Sequence, residues 1–224
     1  DETAISRVVP ETNSLTYRGY AVQDLCEHCC FEEVAYLLWN GELPTRSQLT
    51  KFSRDERARR ELSRDHIAVI RKFPKRAHPM DTIRTAVSYL GTTETAWGGE
   101  PEENDRRRAL DLLAKIPTMM ASDYRFRKGK RRIAPRADVS ISENFLRMCF
   151  GSVPPKEVVK AFDVSLILYA EHSFNASTFA SRVVTSTMSD MYSAVTAGIG
   201  ALKGPLHGGA NEAVMHMLLE IGHP

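Results

Sequence analysis

KGPLHGGAN, residues 203–211, separates two runs of residues that both have a helical pattern. The run before it, residues 193–202, is rich in alanine and glycine, which let a helix lie close to its neighbours. Gly204 and Pro205 end that helix, since glycine favours the C-terminal position and proline cannot continue the hydrogen-bond ladder. Apolar residues return at helical spacing over residues 212–221. The stretch therefore predicts a buried helix, a glycine-rich loop and a second helix.

His207 lies in this loop, just ahead of the second predicted helix. The exposed amides of a helix N-terminus carry partial positive charge, which disfavours a protonated imidazole. A neutral ring in that position is able to donate a hydrogen bond to an oxygen that becomes negative during a reaction. Gly208 and Gly209 would leave room for a substrate. On spacing alone, an ordinary glycine-rich connection with a solvent-facing histidine explains the loop equally well.

The composition indicates a soluble globular chain. The 224 residues are 42% hydrophobic, which is enough to bury a sizeable core. The net charge of +2 gives no general argument for nucleic acid or for a membrane surface as a partner. No run of about eighteen apolar residues suggests a membrane span. The first residues lack the basic and apolar regions of a secretory signal, so we expect a cytoplasmic location.

Helical patterns dominate the chain and predict an all-α fold. Short loops with glycine or proline separate the helical runs, which is typical of helix packed on helix. The exception is residues 14–20, whose alternating apolar positions predict a short N-terminal β element. Residues 92–108, which include Gly98 and Gly99, predict a surface loop. Four helical runs cover residues 31–39, 79–90, 142–150 and 157–171. Another starts at Arg46 behind a Thr45 cap. A run over residues 107–124 is interrupted or kinked at Pro117.

The four cysteines predict buried free thiols rather than a metal site. Cys26 and Cys29 have the spacing of half a zinc site, but no second pair of thiols or histidines has ligand spacing. Cys29 and Cys30 lie in a hydrophobic, apparently helical context, and Cys149 is far away in the sequence. We therefore expect no bound metal.

Residues 124–136 carry seven basic residues and no acidic one. The simplest interpretation is a solvated loop. Phosphate contacts to a nucleotide-like molecule come second. Nucleic-acid binding comes third, supported by the aromatic residues Tyr124 and Phe126 among the charges.

Two long motifs resemble the citrate synthase family. LKGPLHGGANEAVM (residues 202–215) is similar to its catalytic loop, and LILYAEHSFNASTFASRVVTSTMSDMYSAV (166–195) is similar to its oxaloacetate-binding region. The EHSFNAST version most resembles 2-methylcitrate synthases and related bacterial citrate synthases. Further similarity lies in SLTYRGYAVQDL, FEEVAYLLWNGELPT, HPMDTIRTAVSYLG and NFLRMCFG.

The resemblance implies a role for four residues. His207 matches the catalytic histidine that stabilises an enol oxygen. His172 is implied as an oxaloacetate ligand together with Asn175, and three positions of separation let one turn direct both at the same spot. Without the resemblance, a core histidine satisfied by its neighbours is the simpler interpretation of His172. An arginine near Arg60 is implied as a contact for a substrate carboxylate, which a planar guanidinium suits.

The implied reaction condenses an acyl-CoA with oxaloacetate. Propionyl-CoA would give 2-methylcitrate, as in propionate metabolism, and acetyl-CoA would give citrate, as in the tricarboxylic acid cycle. The resemblance implies no permanent cofactor, a homodimer, and no nucleic-acid or membrane partner. No motif identifies the residues that bind CoA.

The resemblance also predicts that residues 1–224 are a single large helical domain. The family's catalytic base, its second histidine and its small domain would lie beyond Pro224, so we expect the natural protein to be longer and this chain alone to be inactive. A helical binding module that uses residues 124–136 is the alternative of a different class.

Overall fold

The computed structural model describes residues 2–94 and 100–222. These residues form α-helices and one small sheet, which confirms the predicted fold class. None of the described helices combines the length and apolar composition needed to cross a membrane. The helices are α1 (Val22–His28), α2 (Phe31–Asn40), α3 (Arg46–Arg57), α4 (Arg64–Lys72), α5 (Pro79–Thr92), α6 (Pro101–Arg127), α7 (Ile141–Phe150), α8 (Lys156–Tyr169), α9 (Ala176–Ser186), α10 (Met191–Leu202) and α11 (Gly209–Ile221).

The N-terminal β element is a three-stranded antiparallel sheet in the order β1-β2-β3. Its strands are β1 (Ser6–Val9), β2 (Ser14–Tyr17) and β3 (Tyr20–Ala21). The tight turn between β2 and β3 passes through Arg18 and Gly19, both with positive φ. The predicted extended segment covers β2 and β3. Strand β1 was not predicted, because only its pairing with β2 makes it a strand.

Helix α6 differs most from its prediction. It begins at Pro101, so residues 101–108 are helical rather than part of a surface loop. Proline is well tolerated in a first helical turn, and Glu102 and Glu103 complement the partial positive charge of that end. The helix also continues through Pro117 without interruption. Gly98 and Gly99 of the predicted loop lie outside the described residues.

The chain divides into two compact units. The first contains residues 1–67 and 110–173, and the second contains residues 68–109 and 174–224. Each unit is therefore assembled from two separate stretches of sequence.

The first unit is organised around Tyr17, which is fully buried. It packs with Val22, Leu25, Val34, Leu37 and Ile167. The Tyr17 hydroxyl lies 3.0 to 3.2 Å from the carbonyl oxygens of Ile167, Leu168 and Glu171. These carbonyls lie at or just beyond the C-terminal end of α8, where the regular helical hydrogen bonds run out and, among the three, only Ile167 accepts from a described backbone amide, that of Ala170. Tyr17 therefore stabilises the end of α8.

Close helix contacts define the second unit. Helix α10 packs against both α5 and α9. A methyl group at Gly91 of α5 would lie 2.9 Å from Cβ of Tyr192, and one at Gly198 of α10 would lie 2.5 Å from Oγ of Ser181 in α9. The Tyr192 Cβ cannot move without its backbone, so α5 and α10 depend on Gly91 to approach this closely, whereas at Gly198 the Ser181 hydroxyl would have to rotate away. The predicted close packing of this small-residue helix therefore occurs within the chain.

Candidate active site

The N-terminus of α9 is capped by Asn175. Its Oδ1 atom accepts a hydrogen bond from the amide of Thr178 at 2.9 Å and one from Oγ of Ser177 at 2.6 Å. Asparagine is among the best residues for this cap. Asn175, which we predicted as a substrate ligand, thus also fixes the start of the helix.

The loop before α11 is held by its own backbone and by a glycine. The amides of His207 and Gly209 donate to the carbonyl oxygen of Gly204 at 3.0 and 3.1 Å. A methyl group at Gly208 would lie 2.3 Å from the carbonyl oxygen of Leu202. Only glycine fits position 208 in this conformation. The predicted need for small residues beside His207 is thereby explained by the backbone itself.

The His207 ring lies against the first turn of α9. Its Nε2 atom is 3.3 Å from the backbone amide of Ser177, which donates to it, and 2.9 Å from the Ser177 hydroxyl. Ser177 is the second residue of α9, where a backbone N–H has no partner inside the helix. The imidazole supplies that missing acceptor.

This contact favours one tautomer of a neutral ring. A backbone amide can only donate, so in this contact Nε2 presents its lone pair and a neutral ring then carries its proton on Nδ1; the Ser177 hydroxyl, 2.9 Å from Nε2, is compatible with either tautomer. An imidazolium would direct a second N–H at the Ser177 amide and at the positive end of α9. With Nε2 accepting from this amide, the Nδ1–H of a neutral ring can donate to another molecule.

The sequence predicted a neutral His207 for a different reason. It placed the ring at the N-terminus of α11, whereas the structure brings the ring to the N-terminus of α9, 30 positions earlier in the chain. Ser177 was not among the four residues to which the resemblance assigned a role. Ser177 follows Asn175 by two positions. If Asn175 caps a helix, the Ser177 amide lies in the first turn and needs an acceptor from outside the helix, and this was the available signal.

His172 belongs to the first unit, whereas Asn175 and His207 belong to the second. Helix α8 ends at Tyr169, so His172 lies in an irregular segment rather than at the predicted helix end, and it is exposed. Glu171 beside it accepts a hydrogen bond from Oγ of Ser6 at 3.0 Å and another from the amide of Ser173. Strand β1 thus helps to hold the segment that carries His172.

Arg60 is placed differently from its predicted role. Only 2% of its surface is exposed. Its guanidinium makes two hydrogen bonds of 2.7 and 2.8 Å to the buried carboxylate of Glu56, and Nη1 donates to the carbonyl oxygens of Arg136 and Val139. These contacts occupy the guanidinium inside the first unit. The hypothesis that Arg60 contacts a substrate carboxylate has no support in this arrangement.

The basic stretch 124–136 is largely engaged within the first unit. It starts inside α6, which ends at Arg127. Four of its seven basic side chains bind acidic groups or a carbonyl oxygen: Arg125 with the Cys149 carbonyl, Arg127 with Asp123, Arg132 with Glu61 and Arg136 with Asp138. Such contacts reduce the charge available to a phosphate backbone.

The cysteines are free thiols, and burial keeps them protonated. Desolvation raises the pKa of Cys30 strongly and that of Cys149 to about 11. Within residues 2–94 and 100–222, no three histidine, cysteine or acidic side chains are grouped to hold a metal ion.

Comparisons with known proteins agree with the two motifs. A family model described as "Citrate synthase, C-terminal domain" matches residues 1–224. The citrate synthase of Mycolicibacterium smegmatis is 60% identical over 99% of this chain and 59% of its own length. The 2-methylcitrate synthase of Mycobacterium tuberculosis is 58% identical over 100% of this chain and 56% of its own length. The chain thus spans less than two thirds of these relatives.

Solved structures give the same result. The citrate synthase of Pyrobaculum aerophilum is 41% identical with a TM-score of 0.93, covering 100% of this chain and 58% of that protein. The Thermoplasma acidophilum citrate synthase, solved with carboxymethyl coenzyme A and oxaloacetate, is 33% identical with a TM-score of 0.92, covering 100% of this chain and 59% of that protein. On the family match and these identities, the chain belongs to the citrate synthase family.

Proposed function

We propose that the protein, expressed from its complete coding sequence, is an acyltransferase that condenses an acyl-CoA with oxaloacetate. The observation that carries the proposal is the contact between the Ser177 amide and Nε2 of His207. It leaves the Nδ1 proton of a neutral ring for a substrate oxygen. The relatives named citrate synthase and 2-methylcitrate synthase support the reaction class.

In the proposed reaction, a base removes a proton from the α-carbon of the acyl-CoA, and the electron pair moves toward the thioester oxygen. The Nδ1–H of His207 donates a hydrogen bond to that oxygen as it becomes negative. Donors aimed at developing charge in a dry site contribute about 100- to 1000-fold in rate. The enol carbon then forms a bond to the ketone carbon of oxaloacetate, and water cleaves the thioester to release the CoA thiol.

We assign His172 and Asn175 to oxaloacetate in this proposal. The exposed imidazole of His172 is available to a ligand. The side-chain amide of Asn175 also offers donors, since its oxygen is the atom engaged by α9. The proposal assigns no residue of this chain as the catalytic base.

Propionyl-CoA is the preferred acyl donor in the proposal, because the EHSFNAST motif most resembles 2-methylcitrate synthases. Citrate synthase is the second candidate, favoured by the relative that is 60% identical. The two differ by one methylene on the acyl chain, which a binding pocket distinguishes by about 10- to 200-fold.

Thiol release tests both candidates. The complete protein is mixed with oxaloacetate and either propionyl-CoA or acetyl-CoA, and free CoA is measured with a thiol reagent. We expect release with both donors and a higher kcat/KM for propionyl-CoA. His207→Ala should lose most of the release, whereas His28→Ala, at an exposed ring in the first unit, should not. No release from either donor would contradict the function.

We also propose a cytoplasmic homodimer. Helix α11 leaves apolar side chains exposed, which supports a subunit contact: Val214, Met215, Met217, Leu218, Leu219 and Ile221. Light scattering of the complete protein should give twice the chain mass, and a monomer would contradict the dimer. Salt-dependent retention on DNA or RNA would instead favour the binding module based on residues 124–136.

A further inference from the structure

The loop that carries His207 is flanked by two contacts with the start of α5. Ahead of the loop, Nζ of Lys203 lies 2.8 and 2.7 Å from the two carboxylate oxygens of Asp81. Behind the loop, Glu212 of α11 lies 3.6 Å from Nε2 of His78. His78 caps α5 and Asp81 lies in its first turn, so one end of one helix contacts both sides of the loop.

The contact between Asp81 and Lys203 is the stronger of the two. Lys203 contacts both oxygens of the carboxylate, and its hydrogen bond holds the pKa of Asp81 below the usual value. Arg84 adds a second cation, 3.0 Å from Asp81. The carboxylate also lies in the first helical turn, where negative charge is favoured.

Lys203 is well placed to control the loop. It follows the last residue of α10 and precedes His207 by four positions. Gly204, Gly208 and Gly209 make up half of the six residues that follow it, and glycine restricts the backbone least. The loop's own backbone hydrogen bonds fix its internal conformation, and the paired side chains of Lys203 and Asp81 attach it to α5.

We propose that Asp81 and Lys203 are positioning residues that hold the loop so that His207 keeps its contact with Ser177. They act through His207 and do not contact the reacting atoms. The proposal rests on the proposed function, since His207 must be catalytic for its placement to affect the rate.

Steady-state kinetics on the complete protein test this role. Asp81→Asn and Lys203→Met should each lower kcat by about tenfold, because a displacement of about 1 Å at a catalytic group can cost a hundredfold. The KM for oxaloacetate should change less than about twofold, as expected when only a transition-state contact is weakened. The double variant D81N/K203M should lower kcat no further than either single variant, as expected for two residues that act through one contact.

Lys51→Met is the matched control. Lys51 and Asp55 of α3 form an ion pair of the same 2.7 Å length in the other unit. Its loss should leave kcat unchanged. Arg84→Met is the second control, since it removes the other cation from Asp81 and leaves the lysine contact intact.

The ring itself provides a readout that does not need turnover. Nitrogen NMR of the His207 imidazole should give one sharp Nδ1–H tautomer in the wild-type protein, and averaged or broadened signals in Asp81→Asn. If wild-type protein releases no thiol, the proposed function fails, but the ring spectra still test the positioning. Unchanged ring spectra in both variants, or unchanged kcat in an active enzyme, would overturn the proposal.

Discussion

The backbone amide of Ser177 donates a hydrogen bond to Nε2 of His207, and this contact joins the start of α9 to the loop before α11. The donor belongs to the main chain, so its direction is set by the helix rather than by a side-chain rotamer. The fold itself therefore presents this amide to Nε2 of His207.

Ser177→Ala should leave the His207 tautomer unchanged. The substitution removes the hydroxyl 2.9 Å from Nε2 but retains the amide that donates to the same atom. Nitrogen NMR should show the Nδ1–H form in both the wild-type protein and the variant, whereas the exposed ring of His28 should exchange between tautomers. A proton on Nε2 in either protein would contradict this account of the ring.

Substitutions of Asn175 should separate its two roles. Asn175→Ala removes the cap of α9 and should lower the free energy of unfolding by about 1 kcal/mol. Asn175→Asp keeps the accepting oxygens, so stability should stay close to wild type, while its negative charge repels a dicarboxylate substrate. We expect the KM for oxaloacetate to rise by about tenfold or more in this variant. An unchanged KM would restrict Asn175 to capping.

Two glycines of the second unit should respond in opposite ways to alanine. Gly91→Ala places a methyl group 2.9 Å from Cβ of Tyr192, an atom that cannot move without its backbone, and should cost about 1–3 kcal/mol. In Gly200→Ala the nearest atom is Cδ of Arg84 at 3.8 Å, an ordinary contact. That variant should gain about 0.4–1 kcal/mol from the lower entropy of the unfolded chain. Urea unfolding of both variants measures the difference, and equal effects would contradict the close approach of α5 and α10.

Tyr17 should make stability depend on pH in the alkaline range. Burial raises its pKa from 10.0 to about 12, so the folded protein holds this proton more tightly than the unfolded chain. The resulting stability is fully present below pH 10 and is lost as the pH rises toward 12. Tyr17→Phe should cost about 1 kcal/mol near neutral pH through the lost hydrogen bond.

The difference in unfolding free energy between wild type and Tyr17→Phe isolates this titration from other groups. It should shrink between pH 10 and pH 12. A constant difference over that range would mean that the Tyr17 hydroxyl is not buried as described.

Features that depend on neighbouring residues could be predicted from the sequence. Thr45 caps α3 as expected, with Gln48 completing a capping box, and Gly151 ends α7 with positive φ. Each of these signals lies within about one helical turn, where local hydrogen bonds decide the conformation. The His207 loop was predicted for the same reason.

Features that depend on distant residues could not be predicted. Arg60 and Asp81 look like ordinary members of charged helices. Their partners lie up to 79 positions away for Arg60 and 122 positions away for Asp81. Burial of Arg60 depends on how residues 136–139 cross α3, which hydrophobic periodicity does not reveal. The acceptor for the Ser177 amide was missed in the same way.

The pairing of α5 with α10 also has a consequence for biosynthesis. Gly91 leaves the ribosome roughly a hundred residues before Tyr192, which is about 5–20 s at usual translation rates. During that interval α5, which carries the buried side chains Ile83, Val87 and Leu90, lacks α10, one of the helices that pack against it. The nascent chain should therefore be a substrate for chaperones until residue 202 has emerged.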